Sequence, residues 1–205
     1  MKKPGAVVLC GGQSRRMGRP KAWLPFGSEV MLQRVVRLLG DVTESLVVVA
    51  APGQEIPALP GSIRVVRDEV SDRGPLQGLA AGLPALPDEI ELAYATATDV
   101  PFLQPAWVAR LVELMGDQDL VIPDVGGHLH PLAALYRRKT VLPAVERLLA
   151  EDRLRPVFLV DALRALKVDA QTMRPIDIEL GTLRNLNTPE DYQQALLDAG
   201  FRCDA

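Results

Sequence analysis

The chain has 205 residues, is rich in aliphatic side chains, holds 4% aromatics and carries a formal net charge of −3. That length suits one domain of the larger common size, able to bury roughly 70% of its unfolded surface without staples. Near-neutral charge argues against general nucleic-acid binding, and neither a signal-peptide core nor a membrane span is expected.

Apolar residues 6–9 read as a buried parallel strand. Residues 30–39 carry helical spacing and stop at Gly40. Runs at 46–50 and 63–66 read as strands, and 76–83 as a helix entered through Gly74-Pro75. Residues 92–97 read as a strand, 107–115 as a helix and 120–122 as a strand. Beyond Gly126 the pattern changes. Residues 129–136 read as extended, 141–149 and 157–166 as helices, 176–178 as a short strand, and a last helix starts at Pro189. Alternating strands and helices predict an α/β fold: a three-layer, Rossmann-like, mostly parallel sheet with helices on both faces. One domain is expected over 1–205, with a nucleotide-binding half to about 125 and an acceptor-binding half over about 126–205.

The most informative stretch is Leu9-Cys10-Gly11-Gly12-Gln13-Ser14-Arg15-Arg16-Met17-Gly18-Arg19-Pro20-Lys21. Glycines allow a backbone to approach a phosphate and turn its N–H groups toward it. The cations Arg15, Arg16, Arg19 and Lys21 match a ligand with several negative charges. The spacing fits neither G-x-G-x-x-G nor the Walker loop, and Lys21 is followed by Ala22. A nucleoside triphosphate site is the reading; a surface loop with solvated arginines is the plain alternative.

Asp99 follows the fourth strand in Thr98-Asp99-Val100-Pro101. Ligands bind beyond the carboxyl ends of such strands, so Asp99 falls near Gly11, Gly12 and Lys21 and is placed to hold Mg²⁺. An aspartate in an ordinary turn is the competing account. Asp68 ends the third strand, and Gly74-Pro75-Leu76-Gln77-Gly78 opens a helix. Thr188, Pro189 and the acidic residues after them suit a capped helix start. Asn185 and Asn187, two apart on an extended segment, point the same way and offer oxygens to Mg²⁺ or a phosphate. His128 and His130 share a spacing of two, but three or more ligands are the norm for a transition metal. Substrate contact or surface placement suits them better. Ser14 has no nearby histidine base. Two cysteines, Cys10 and Cys203, read as free thiols of a reducing compartment, hence a cytoplasmic protein.

Together these motifs resemble the molybdenum cofactor guanylyltransferase family. Its members carry Leu-Ala-Gly-Gly-x-Ser-x-Arg-Met-Gly-x-x-Lys, an aspartate after the third strand, Gly-Pro-Leu-x-Gly, Asp-x-Pro and a late Asn-x-Asn-Thr-Pro. Here these are residues 9–21, Asp68, residues 74–78, Asp99-Val100-Pro101 and residues 185–189, with His130-Pro131-Leu132-Ala133 like the strand before the acceptor half. Departures are Cys10 for alanine, Arg19-Pro20 where an aspartate is frequent at position 20, and Ala50 where an asparagine contacts ligand. Gly18-Arg19-Pro20-Lys21 also occurs in related cytidylyltransferases.

The resemblance implies transfer of GMP from GTP to Mo-molybdopterin with release of pyrophosphate. It implies Mg²⁺ as cofactor and other molybdenum cofactor proteins as partners. Lys21, Arg15 and Asp99 would be catalytic, with Asp99 on the metal. Leu9, Cys10, Gly11, Gly12, Arg16, Lys21, Asp68, Gly78 and Asp99 would line the nucleotide. The acceptor is expected opposite the Gly11–Lys21 loop, near Asn185, Asn187, His130 and Arg155. The rival readings are a cytidylyltransferase of the same cofactor, a sugar-phosphate nucleotidyltransferase, and a non-catalytic nucleotide-binding adaptor or sensor.

Overall fold

The computed structural model describes residues 2–11, 19–68, 70 and 73–201. The strands are β1 (Gly5–Leu9), β2 (Pro25–Phe26), β3 (Glu29–Val30), β4 (Ser45–Ala50), β5 (Arg64–Arg67), β6 (Leu92–Ala97), β7 (Leu120–Val125), β8 (His128–Leu129), β9 (Ala133–Arg137) and β10 (Ala165–Asp169). The α-helices are α1 (Met31–Gly40), α2 (Gly74–Gly82), α3 (Pro105–Leu114), α4 (Arg138–Ala150), α5 (Leu159–Ala162), α6 (Ala170–Met173) and α7 (Pro189–Asp198).

The main sheet runs β10-β7-β9-β6-β1-β4-β5, and β8 pairs with β7. β1 is parallel to β4 and β6, β4 to β5, and β7 to β10, while β9 lies antiparallel between β6 and β7. β2 and β3 form a separate hairpin. The sheet crosses the division near residue 126 without a break, since β9 and β10 join the strands that precede it.

The period-2 geometry of strands sorts β1 and β4 between two cores. Ala6, Val8, Leu46 and Val48 pack with Leu32, Val35 and Val36 of α1 and with Trp107 and Leu111 of α3. Val7, Leu9, Val47 and Val49 pack on the other face with Leu76 and Leu79 of α2 and with Val141, Val145 and Leu148 of α4. Strands covered on both faces lose the polar alternation of a half-exposed sheet, hence the unbroken apolar runs. α2 lies close to β1 and β4: a Cβ on Gly82 would stand 2.8 Å from Val49 Cγ2 and would also overlap Val7.

A third core joins the hairpin to the chain's end. Leu24, Phe26, Met31, Leu186 and Ala195 are buried together, and Phe102, Tyr192 and Phe201 pack against them. Phe26 meets Phe102 and Phe201 edge-on at 5.8 and 5.3 Å between ring centroids. The Tyr192 hydroxyl donates to the Pro25 carbonyl.

Two expectations are corrected. The predicted helix over 157–166 is a 3₁₀ turn (Pro156–Phe158), the short α5 and then β10. Its helical spacing is real only as far as Ala162; beyond it Leu166 and Val168 alternate with exposed Lys167 and Asp169 and pair with β7. Residues 176–178 form no strand. Ile178 is 72% exposed and Asp177 is buried, the reverse of what a core-facing strand would show. The Asp177 carboxylate accepts from Gly181 N–H at 2.9 Å and Thr182 N–H at 2.8 Å, which makes this segment a turn.

Candidate active site

β1 and β6 lie side by side with Leu9 opposite Ala97. From β1 the sheet adds β4 and β5 on one side, while β6, β9, β7 and β10 extend it on the other. This reversal opens a crevice beyond the carboxyl ends of β1 and β6. Cys10-Gly11 and Thr98-Asp99 leave the strands at that point. The Thr98 hydroxyl donates to the Leu9 carbonyl at 3.2 Å and fastens the two loops together.

Asp99 is the centre of the crevice and is 7% exposed. Its Oδ2 accepts from Lys21 Nζ at 2.6 Å and its Oδ1 from Asn185 Nδ2 at 2.9 Å. Lys21 Nζ also donates to Asn187 Oδ1 at 3.1 Å. Lys21 opens a 3₁₀ turn (Lys21–Trp23) whose next residue, Ala22, is buried in the core. Burial of that neighbour fixes the turn from which Lys21 projects.

The asparagines reach the same point through alternation. Leu186 between them is fully buried with Leu24, Phe26 and Met31, and its N–H donates to the Asp99 carbonyl at 3.0 Å. With Leu186 anchored inward, Asn185 and Asn187 face Asp99 and Lys21. The segment ends in the α7 cap. Asp191 N–H donates to Thr188 Oγ1 at 3.1 Å, and Asp191 Oδ2 accepts from the N–H groups of Asn187 and Thr188 at 3.0 and 2.9 Å. From the other side, Arg34 Nε donates to the Pro101 carbonyl at 2.7 Å. Gln104 N–H donates to Thr182 Oγ1 at 3.0 Å, so the loop after Asp99 is tied to the segment leading to Asn185.

The remaining nucleotide-side residues surround this centre unevenly. Cys10 is buried; desolvation pushes its thiol pKa up, opposed by hydrogen bonds to Thr98 and Gln54 and by the Arg67 charge. Gly11 is exposed at the crevice. Asp68 comes after β5, its N–H donating to the Ala50 carbonyl at 2.9 Å and its carboxylate accepting from Val70 N–H at 3.0 Å. Gly78 faces the core rather than the crevice: a Cβ there would lie 2.9 Å from Leu9 Cδ2. Gly12, Arg15 and Arg16 lie outside the described residues.

The asparagine pair corrects one placement. It lies against Lys21, not opposite the loop that carries it. His130 sits at the carboxyl end of β7, its N–H donating to the Pro123 carbonyl at 2.9 Å. It is half-buried, and burial, aided by His128, holds its pKa below the usual histidine value against the pull of Asp124. Arg155 precedes the Pro156–Phe158 turn; nearby, the Leu154 carbonyl is 3.9 Å from the place a Gly74 Cβ would take. Among the described residues neither His130 nor Arg155 bonds to Asp99, Asn185 or Asn187.

Sequence reasoning missed Thr98, Arg34, Gln54 and Leu186 as supports. For Leu186 the signal was available: an apolar residue between two polar ones on an extended segment marks one inward and two outward side chains.

The sequence profile of the MobA-like NTP transferase domain matches residues 6–167. The chain belongs to this family. As a MobA-like NTP transferase it resembles a Mycobacterium tuberculosis H37Rv protein named "probable molybdenum cofactor guanylyltransferase", at 37% identity over 175 residues, 83% of this chain and 85% of that one. Among solved structures it resembles molybdopterin-guanine dinucleotide biosynthesis protein A from Archaeoglobus fulgidus, with TM-score 0.77 and 22% identity over 96% of this chain and 98% of that one. A Mycobacterium tuberculosis protein solved in complex with manganese shares the fold at TM-score 0.60 and 19% identity, covering 96% and 98% of the two chains. No helix among the described residues is long and apolar enough to cross a membrane.

Proposed function

We propose that this nucleotidyltransferase moves GMP from GTP to Mo-molybdopterin. The observation that carries the reading is the meeting of Lys21, Asp99, Asn185 and Asn187 beyond β1 and β6. One carboxylate beside one ammonium and two carboxamides is a set for holding charge. A phosphate nucleophile is ionised at neutral pH and requires no base, so positioning and charge stabilisation are what the reaction needs.

The donor set fits Mg²⁺. This ion takes one or two carboxylates, keeps waters and shares substrate phosphates. Asp99 supplies the carboxylate, while no group of three or more His, Cys, Asp or Glu stands together among the described residues. Lys21 already sets a positive charge 2.6 Å from Asp99 Oδ2. When bound, Mg²⁺ withdraws charge from the phosphate oxygens and eases departure of pyrophosphate.

In this reading Asp99 holds the metal, and Asn185 and Asn187 orient Asp99 and Lys21. Lys21 moves its ammonium to the phosphate oxygens. Arg15 and Arg16 complete the triphosphate site, Gly11 and Gly12 shape the guanine pocket, and Asp68 takes the nucleoside. The acceptor's phosphate oxygen forms a bond to the α-phosphorus, and the bond from that phosphorus to the α,β-bridging oxygen breaks. The electron pair leaves with pyrophosphate. Arg155 and His130, on the same edge of the sheet, are assigned to the acceptor. A buried free thiol at Cys10 suits the cytoplasm, where other proteins of molybdenum cofactor assembly are the expected partners. The test is pyrophosphate release from each NTP with Mg²⁺, with and without molybdopterin. GTP with acceptor should stand apart; equal release from CTP would move the reading to cytidylyl transfer.

A further inference from the structure

Three loops leave the carboxyl edge of the sheet next to one another: Cys10-Gly11 after β1, residues 51–55 after β4, and Asp68 after β5. Gln54 binds the first two with its side chain. Its Oε1 accepts from Ala51 N–H at 2.9 Å, and its Nε2 donates to the Cys10 carbonyl at 3.1 Å and lies 3.5 Å from Cys10 Sγ. It reaches the third loop through its backbone. The Gln54 carbonyl accepts from Arg67 Nη1 at 2.5 Å, and the same nitrogen donates to the Ala51 carbonyl at 3.1 Å. The next carbonyl, that of Glu55, accepts from the Trp23 indole at 3.1 Å.

Gly11 and Asp68, assigned above to the nucleotide, are each one residue from a clamped position. The place a Gly11 Cβ would take is 3.4 Å from Ala51 N, so the gap between the first two loops is narrow. A carboxamide both accepts from an N–H and donates to a carbonyl. Glutamate keeps the first bond and loses the second; leucine loses both.

We infer that Gln54 is a positioning residue for the base-binding end of the nucleotide site, fixing Gly11 against the 51–55 loop while Lys21 and Asp99 hold the phosphate end. This rests on the guanylyltransferase reading. Both ends of the Gln54 carboxamide are engaged within the protein, so it acts through Cys10 and Ala51 and not by touching the base.

The test compares Gln54→Leu and Gln54→Glu with the parent, all carrying Cys203→Ser so that thiol labelling reports Cys10. Binding of GTP, CTP and pyrophosphate with Mg²⁺ is measured by calorimetry, with iodoacetamide labelling and thermal melting alongside. GTP should bind about tenfold more weakly in both variants, with the GTP-to-CTP preference falling by a similar factor. Pyrophosphate affinity should stay within about twofold, since the phosphate end keeps its contacts. Cys10 should label faster. A folded Gln54→Leu with an unchanged GTP-to-CTP preference overturns the role, as does equal weakening of GTP and pyrophosphate. Should Gln54→Leu fail to fold, Gln54→Glu decides on the same criteria. A parent chain that binds no GTP removes the functional reading and this role together, whereas a parent that binds GTP beside indistinguishable variants removes this role alone.

Discussion

Lys21 and Asp99, 78 residues apart in sequence, meet at 2.6 Å in the crevice beyond β1 and β6. Each comes from a loop anchored by a buried neighbour, Ala22 in one case and Val100 in the other. The pair neutralises itself when no nucleotide is present. In the proposed reading a polyphosphate would offer Lys21 a better-charged partner and release the Asp99 carboxylate to a cation. Mn²⁺ should therefore bind more tightly when GTP is present than alone, and Lys21→Ala should tighten nucleotide-free binding of the ion. Calorimetric titration of Mn²⁺ with and without GTP checks this. Unaltered ion affinity in Lys21→Ala would show that the two cations do not compete.

Asp99→Asn keeps the shape and removes the charge. Turnover should fall by about 10² or more, the scale of losing one electrostatic contact to the transition state. Melting temperature should change little, because the residue lies in a loop outside the apolar cores. Steady-state kinetics with thermal melting are the measurements, and near-normal turnover in a folded variant removes Asp99 from the centre.

Asn187→Ala separates two positions for the asparagine pair. Its carboxamide accepts from the Lys21 ammonium, so the loss should fall on nucleotide and metal, not on the acceptor. A hydrogen bond to a charged group is worth about 1.5–3 kcal/mol, which corresponds to roughly tenfold or more in GTP affinity. Titration of GTP and Mg²⁺, set beside the acceptor KM, gives the answer. An acceptor KM that rises alone would return Asn187 to the acceptor.

The α7 cap carries a pH dependence. Asn187 N–H, then the Thr188 side chain and N–H, hold the Asp191 carboxyl below its ordinary value. Its folded pKa is thus lower than its unfolded value of about 3.9. The contribution is complete above that pH and is lost as the pH falls through it toward the folded value. Asp191→Ala should be less stable than the parent at neutral pH, with the difference closing in acid. Thr188→Ala should cost about 1 kcal/mol. Urea unfolding from acid to neutral pH measures both; a difference for Asp191→Ala that persists at the lowest pH would contradict the cap.

Two glycines of α2 test packing against binding. Gly82→Ala thrusts a methyl onto Val7 and Val49, branched side chains held inside the sheet, and should cost about 1–3 kcal/mol. Gly78→Ala meets the end of a more flexible Leu9 side chain and should cost less, with GTP affinity almost unchanged. Chemical denaturation and nucleotide titration on both variants distinguish the effects. A strong loss of GTP binding with full stability in Gly78→Ala would place that residue at the ligand.

The central strands were legible because burial on both faces leaves runs such as Leu46–Ala50 with no polar interruption. Asp99 and Lys21 were legible because chain order puts their loops at one edge of a parallel sheet. β10 was not, since its strand alternation continues directly from a helix with compatible spacing. The β2–β3 hairpin was too short for any period, its turn marked by Gly27 at φ 69°. Gln54 was invisible for another reason: its partners are backbone groups of Cys10 and Ala51, and no residue type at those positions announces them.

The most direct measurement is the fate of each phosphorus of GTP. The protein is given Mg²⁺, Mo-molybdopterin and GTP labelled at either the α or the γ phosphate. Guanylyl transfer predicts that the α label enters the dinucleotide product and the γ label leaves entirely in pyrophosphate. A γ label on the acceptor, or an α label released as free GMP with or without acceptor, would contradict guanylyl transfer.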